Sequence, residues 1–358
     1  MRDSKTNKST AAPARKITIY DVARLSGASP STVSAVLNGS WMRRRISAET
    51  VKNVQEIAAK EGYSINMQAR GLRRARSGLI GMIVPMHENR FFSSLSQAFD
   101  SSARERGMCP VIASTLRDPA EERRVVETFI SYAVDALFIA GASDPAQLGE
   151  LCTAANIRHI FVDLPGHDAP SVITDNSSGA RALTSRILAN MPKTCRGAAA
   201  APYFIGGSLK DHATARRIES FQRTASEAGF DIGEKQVLQC GYSPMSAARA
   251  IGQLCDELGS LPAGLFVNSF TAFEGVMSYF MTLPATALAD CAIGCFDYDP
   301  FAAFLQVPVF MIRQDSQQLI AKAYELLDQG VTGPVVVEVP PELIEPRTFA
   351  SKDLISLG

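Results

Sequence analysis

The chain has 358 residues, 46% of them hydrophobic and 20% charged, with 36 Lys/Arg against 36 Asp/Glu. That length predicts two or three domains, and that balance is the one of a globular chain. No apolar run reaches the roughly 18–20 residues of a membrane span, which excludes a spanning helix. The zero net charge is unevenly placed: residues 1–80 carry fifteen Lys/Arg against five Asp/Glu, and the remainder is equally acidic. Such asymmetry predicts a basic module for nucleic acid or membrane on a neutral-to-acidic body.

Residues 1–16 are polar and basic and read as a disordered arm with no apolar leader segment. Three short helices are expected next. Thr18 caps the first, with Asp21 at capping-box spacing, and Gly27 ends it. The second opens at Ser29 with Pro30 in its first turn, places Val33, Val36 and Leu37 on one face, and stops at Asn38-Gly39. The third starts near Ser47, lines one face with Val51, Val54, Ile57 and Ala58, and closes at Gly62. Two short helices joined by a glycine-containing turn predict a helix-turn-helix unit over residues 17–63. Residues 64–78 form a basic linker.

From Leu79 the texture changes. The apolar runs LIGMIV, CPVIA, DALFIA and HIFV alternate with helix-length segments at 92–106, 120–131 and 145–155, which predicts a parallel sheet covered on both faces. The pattern restarts at PYFIG and continues through VLQC, GLFVNS, CAIGCF and VPVFMI. Two α/β lobes are expected: one from 79–175 plus 305–333, the other from 176–304 plus 334–350, with a tail over 351–358. The seven cysteines are odd in number and lack CxxC spacing, so they read as reduced thiols of a cytoplasmic protein rather than as metal ligands. Four histidines occur without a GxSxG, a metal motif or a nucleotide loop, so neither enzyme activity nor a cofactor is expected.

The run TIYDVARLSGASPSTVSAVLNG, followed by GYSINMQARGLRRARSGLIGMIVP, resembles the LacI/GalR family of bacterial repressors. Later landmarks are VITDNSSGARAL, ARRIESF, CFDYDPF and MIRQDSQQLIAKAYELL. Within the family, the long loop GSWMRRRIS, the segment VNSFTAFEGVM and FLQVPV are similar to the fructose repressor (catabolite repressor-activator) branch.

The resemblance implies a dimer that grips a palindromic double-stranded operator and answers to a small effector. Residues 29–38 would lie in the major groove, with Ser29, Pro30, Ser31, Thr32 and Ser34 toward bases or phosphate and Tyr20 and Asn38 on the backbone. Ala35 stands where many members carry a base-reading Arg, and Arg43, Arg44 and Arg45 are candidates for compensating phosphate contacts. Leu72 would wedge into the minor groove, flanked by Arg70 and Arg73. The body implies a periplasmic-binding-protein-like pair of lobes closing on a ligand. Its candidate effector contacts are Asn89, Phe91, Phe92, Asp163, Arg217, Ser269, Asp297 and Gln314, with Arg90 replacing a usual Pro. A sugar or sugar phosphate is the expected effector, and a purine is the alternative. Lys210, His212 and Arg216 lie near Arg217 in sequence as candidates for a phosphate.

Overall fold

The computed structural model describes residues 17–63, 76–305 and 307–346. The chain divides into two compact units, Met1–Ser77 and Gly78–Gly358.

The first unit holds α1 (Ile19–Ser26), α2 (Pro30–Leu37) and α3 (Ala48–Lys60). Each start is fixed by a side-chain cap. Thr18 and Asp21 form the expected capping box, and Ser29 and Ser47 accept from Thr32 N and Thr50 N. These caps satisfy amides that have no partner within the helix. Gly27 closes α1 in the left-handed region at φ 67°. The three helices bury Val22, Val33, Val36, Val51, Val54 and Ala58 against one another, with Trp41 and Tyr63 at the margin. Trp41 belongs to the long loop between α2 and α3, so that loop packs on the helices.

The second unit contains two six-stranded sheets. In chain order its elements are β1 (Leu79–Val84), α4 (Arg90–Glu105), β2 (Cys109–Ser114), α5 (Pro119–Ser131), β3 (Ala136–Ala140), α6 (Pro145–Ala154), β4 (Arg158–Val162), β5 (Ser171–Thr174) and α7 (Asn176–Asn190). The second half continues with β6 (Pro202–Ile205), α8 (His212–Glu227), β7 (Val237–Leu238), α9 (Pro244–Leu258), β8 (Gly264–Val267), α10 (Phe270–Phe280) and β9 (Ala292–Cys295). β10 (Val309–Arg313), α11 (Ser316–Asp328), β11 (Val336–Val339) and β12 (Glu342–Ile344) complete it. The first sheet has the order β11-β5-β4-β3-β1-β2 and the second β12-β10-β9-β8-β6-β7. All pairings are parallel except β10 with β12. Strands buried on both faces explain the unbroken apolar runs in the sequence.

The lobe boundaries require a correction. The apolar pattern assigns β10 to the first lobe, but it pairs with β9 in the second sheet. The same pattern assigns β11 to the second lobe, but it pairs with β5 in the first sheet. The chain therefore changes lobe after β5, after β10 and after β11. The reason is visible in the packing. Leu319, Ile320, Ala323 and Tyr324 of α11 enter the core of the first lobe, whereas Phe310 and Ile312 of β10 enter the aromatic core of the second. Apolar runs of equal quality give no sign of which sheet a strand joins.

Gly207 illustrates how the strand ends are shaped. It has φ 66°, and a Cβ there would lie 2.3 Å from Asn268 Nδ2. Only glycine permits both the backbone turn and the close approach, and the turn leads the chain after β6 to Asp211. Among the described residues no helix is long and apolar enough to cross a membrane. Cys291 and Cys295 are buried around β9, where burial raises both thiols.

Candidate functional site: a DNA-facing helix and an interlobe cavity

The residues expected to meet DNA divide by role. Ser29, Pro30 and Ser31 are exposed at the start of α2, and Tyr20 on α1 is 71% exposed. The Ser29 hydroxyl accepts from Thr32 N at 3.1 Å and lies 2.8 Å from Ser31 Oγ. It therefore starts the helix as well as facing outward. Asn38 ends α2 and donates to Ser34 Oγ at 3.1 Å, while its own Oδ1 is buried without a partner among the described residues. Thr32 and Ser34 are half-buried.

Ala35 is only 3% exposed, so position 35 presents no side chain outward from α2. Ser40 N donates to its carbonyl at 2.9 Å, so the long loop folds back over the end of α2. Arg43, Arg44 and Arg45 are exposed on that loop. Arg70, Leu72 and Arg73 lie outside the described residues.

In the second unit, all eight expected effector residues line one cavity of about 50 Å³ between the lobes. Most sit just beyond a strand's carboxyl end, where open α/β sheets place ligands. Asn89 caps α4, accepting from Phe91 N at 2.9 Å, and donates across the cleft to Thr271 Oγ1 at 3.4 Å. Phe91 and Phe92 meet edge to face, with centroids 5.0 Å apart. Phe92 is also part of the first lobe's core. Asp163 stands just past β4 with φ 75°, a conformation that L residues rarely adopt and that collects at functional sites.

Asp297 accepts from Phe270 N at 3.0 Å and from Gln314 Nε2 at 2.8 Å. Gln314 in turn accepts from Thr174 Oγ1 at 2.7 Å, so one amide bridges both lobes. Ser269 caps α10 by accepting from Ala272 N. Arg217 is 5% exposed. It donates to Asn176 Oδ1 at 2.8 Å and to the Asn268 carbonyl at 2.7 Å, and its guanidinium lies 3.7 Å from the Phe296 ring centroid. Burial pushes Asp163 up to about 7, with Arg117 and Arg217 opposing and Asp211 and Asp297 adding to the rise. Burial also raises Asp297, again against Arg217.

Sequence reasoning missed the polar lining residues Arg117, Asp211, Tyr242 and Thr271. Arg117 stacks over Tyr242 at 4.9 Å, and its Nε is buried without a partner among the described residues. Tyr242 donates to Asp211 and lies 2.9 Å from Thr214 Oγ1. Arg117 stands three residues past β2, so a search of every strand's carboxyl end for polar side chains would have found it. Tyr242 was hidden because β7 has only two residues. Lys210, His212 and Arg216 do not line the cavity; Arg216 pairs with Glu219 at 3.0 Å in solvent.

Arg90, in place of the usual Pro, reaches from α4 to Asp299 in the other lobe, with Nε and Oδ2 2.5 Å apart. The Arg90 side chain is 52% exposed, so solvent screening leaves the pair worth about 1 kcal/mol or less. Arg90→Ala is expected to weaken ligand binding about two- to fivefold by lowering the closed population. Titration calorimetry checks this, and unchanged affinity would show that the pair does not hold the lobes together.

The chain thus joins a helix-turn-helix unit to a two-lobed α/β unit with a partly open cavity between its lobes. The family described as "Bacterial regulatory proteins, lacI family" matches residues 18–66. The ribitol operon repressor of Klebsiella aerogenes is 48% identical over 193 residues, which are 54% of this chain and 71% of that one. The sucrose operon repressor of Klebsiella pneumoniae is 30% identical over 326 residues, 89% and 93% of the two chains. The catabolite repressor/activator of Escherichia coli strain K12 is 26% identical over 314 residues, 86% and 90%. A lac repressor dimer bound to operator and the anti-inducer ONPF shares the fold, with TM-score 0.75 and 23% identity over 92% and 98% of the chains. The chain belongs to the lacI family of bacterial regulatory proteins and is a DNA-binding transcription regulator rather than an enzyme.

Proposed function

We propose that the protein is a homodimeric repressor of sugar-metabolism genes that binds a palindromic operator through α2 and responds to a sugar-type effector in the interlobe cavity. The carrying observation is the cavity itself. Asn89, Asp163, Arg217, Asp297 and Gln314 converge on it from both lobes beside the Phe91 ring. Carboxylates and amides pair with adjacent hydroxyls, an aromatic ring covers a sugar face, and a guanidinium holds a ring oxygen. The relatives named for ribitol and sucrose operons support the same ligand class.

On the head, Ser29, Pro30, Ser31, Thr32 and Ser34 meet base edges or phosphate, while Tyr20, Asn38 and the Arg43–Arg45 loop hold the backbone. Ligand closes the lobes, and only its unequal affinity for two arrangements of the dimer can alter operator affinity. The protein acts in the cytoplasm, at the nucleoid when bound to DNA. Fluorescence anisotropy of the operator duplex from the gene's own upstream region, titrated with protein and sugars, tests the proposal. The expected result is a change of at least about tenfold in operator affinity, equivalent to ~1.4 kcal/mol of coupling. An operator affinity that no sugar alters would overturn the sugar reading.

A further inference from the structure

We infer that the interlobe cavity takes an uncharged, hydroxyl-rich molecule and rejects its phosphate esters, with Asp211 as the discriminating charge. The inference rests on the reading of this cavity as the effector site.

The charge of the lining disfavours an added anion. Three carboxyl groups line the space, Asp163, Asp211 and Asp297, against two guanidinium groups, Arg117 and Arg217, with burial raising Asp163 to about 7 and Asp297 above its usual range. A phosphate monoester brings about 1.5–2 further negative charges. Arg217 spends two of its five N–H donors within the wall, on Asn176 Oδ1 and the Asn268 carbonyl, with its face on the Phe296 ring.

Helix N-termini are the other ready source of anion binding, and here they are taken. Three helices begin at this cavity, and side-chain oxygens already hold their leading amides. Asn89 accepts from Phe91 N and Phe92 N, and Asp211 accepts from Ala213 N. Asp297 accepts from Phe270 N, and Ser269 from Ala272 N. Asp211 and Asp297 thus place a carboxylate where a phosphate would sit. The cations nearest in sequence, Lys210 and Arg216, lie outside.

The unpaired groups of the wall suit a hydroxyl instead. Arg117 Nε is buried there with no partner among the described residues. The carboxylates beside it can only accept when ionised. A hydroxyl accepts from Arg117 and donates to a carboxylate, while a phosphate dianion only accepts. The cavity of about 50 Å³ adjoins a cleft of about 1090 Å³, and the two share Phe91, Asp297 and Gln314.

The test is titration calorimetry on the full chain with ribitol, xylitol and D-fructose beside ribitol 5-phosphate and D-fructose 1-phosphate, paired with operator anisotropy. We expect at least one neutral compound to bind and to shift operator affinity, and its ester to bind about 100-fold more weakly or worse. Asp211→Asn retains the cap on α8, since Asn caps as well as Asp. It should narrow the gap about tenfold by strengthening the ester. Tyr242→Phe removes the hydroxyl that holds Asp211 but keeps the charge, so it should preserve discrimination. An ester that binds the wild type as tightly as its alcohol, and shifts operator affinity, overturns the selectivity while the effector reading stands. Failure of every compound to bind overturns both.

Discussion

Arg217→Ala is expected to abolish the response to effector while leaving the head able to bind operator. The substitution removes the donor to Asn176 Oδ1 and to the Asn268 carbonyl. It also leaves Asp163, Asp211 and Asp297 facing only Arg117 across the cavity. Breaking a buried charge arrangement by deleting one partner costs about 3–5 kcal/mol, so the body should melt earlier and effector affinity should fall more than about 100-fold. Arg217→Lys keeps the charge but cannot span two acceptors in a fixed fork, and it should recover only part of the loss. Calorimetry measures both variants. Effector affinity within a few-fold of wild type in Arg217→Ala would remove Arg217 from the site.

Val33→Asp should do the reverse: operator binding vanishes and effector binding persists. Val33 is 0% exposed at the centre of a core built from a handful of valines. A domain this short holds only about 3–5 kcal/mol of stability, and an unpaired buried carboxylate costs at least that much. The head should therefore unfold, with operator affinity reduced about 1000-fold or more. Gly78–Gly358 forms its own compact unit, so effector affinity should stay within about twofold. Anisotropy and calorimetry on the same preparation separate the two effects. Operator binding that survives the change would contradict the placement of Val33 in the core.

The contrast between these two units explains what the sequence made legible. In the head, local signals carried the fold. The Thr18–Asp21 capping box, Ser29-Pro30, Gly27 and the Val33/Val36 spacing each act within one turn of chain, and each appears where the pattern placed it. The cavity was partly legible because strand ends are predictable. Asp163 and Asp297 stand just past β4 and β9, and Gln314 just past β10.

Tertiary context set the features that stayed hidden. The exchange of β10 and β11 between lobes depends on which core receives Phe310 or Val337, which local pattern does not encode. The fold of the long loop also stayed hidden: Ser40 N donates to the Ala35 carbonyl, and Trp41 packs on the core of the head. Asp211 and Tyr242 became one unit only when the turns after β6 and β7 brought them together, as the bridge between Gly207 and Gly241 shows.

The most direct test of effector control is operator affinity of the full chain, measured by anisotropy with and without saturating neutral polyol, in the wild type and in Arg217→Ala. The predicted result is a change of about tenfold or more in the wild type and none in the variant. An equal change in both, or operator binding indifferent to every hydroxylated ligand that occupies the cavity, would contradict it.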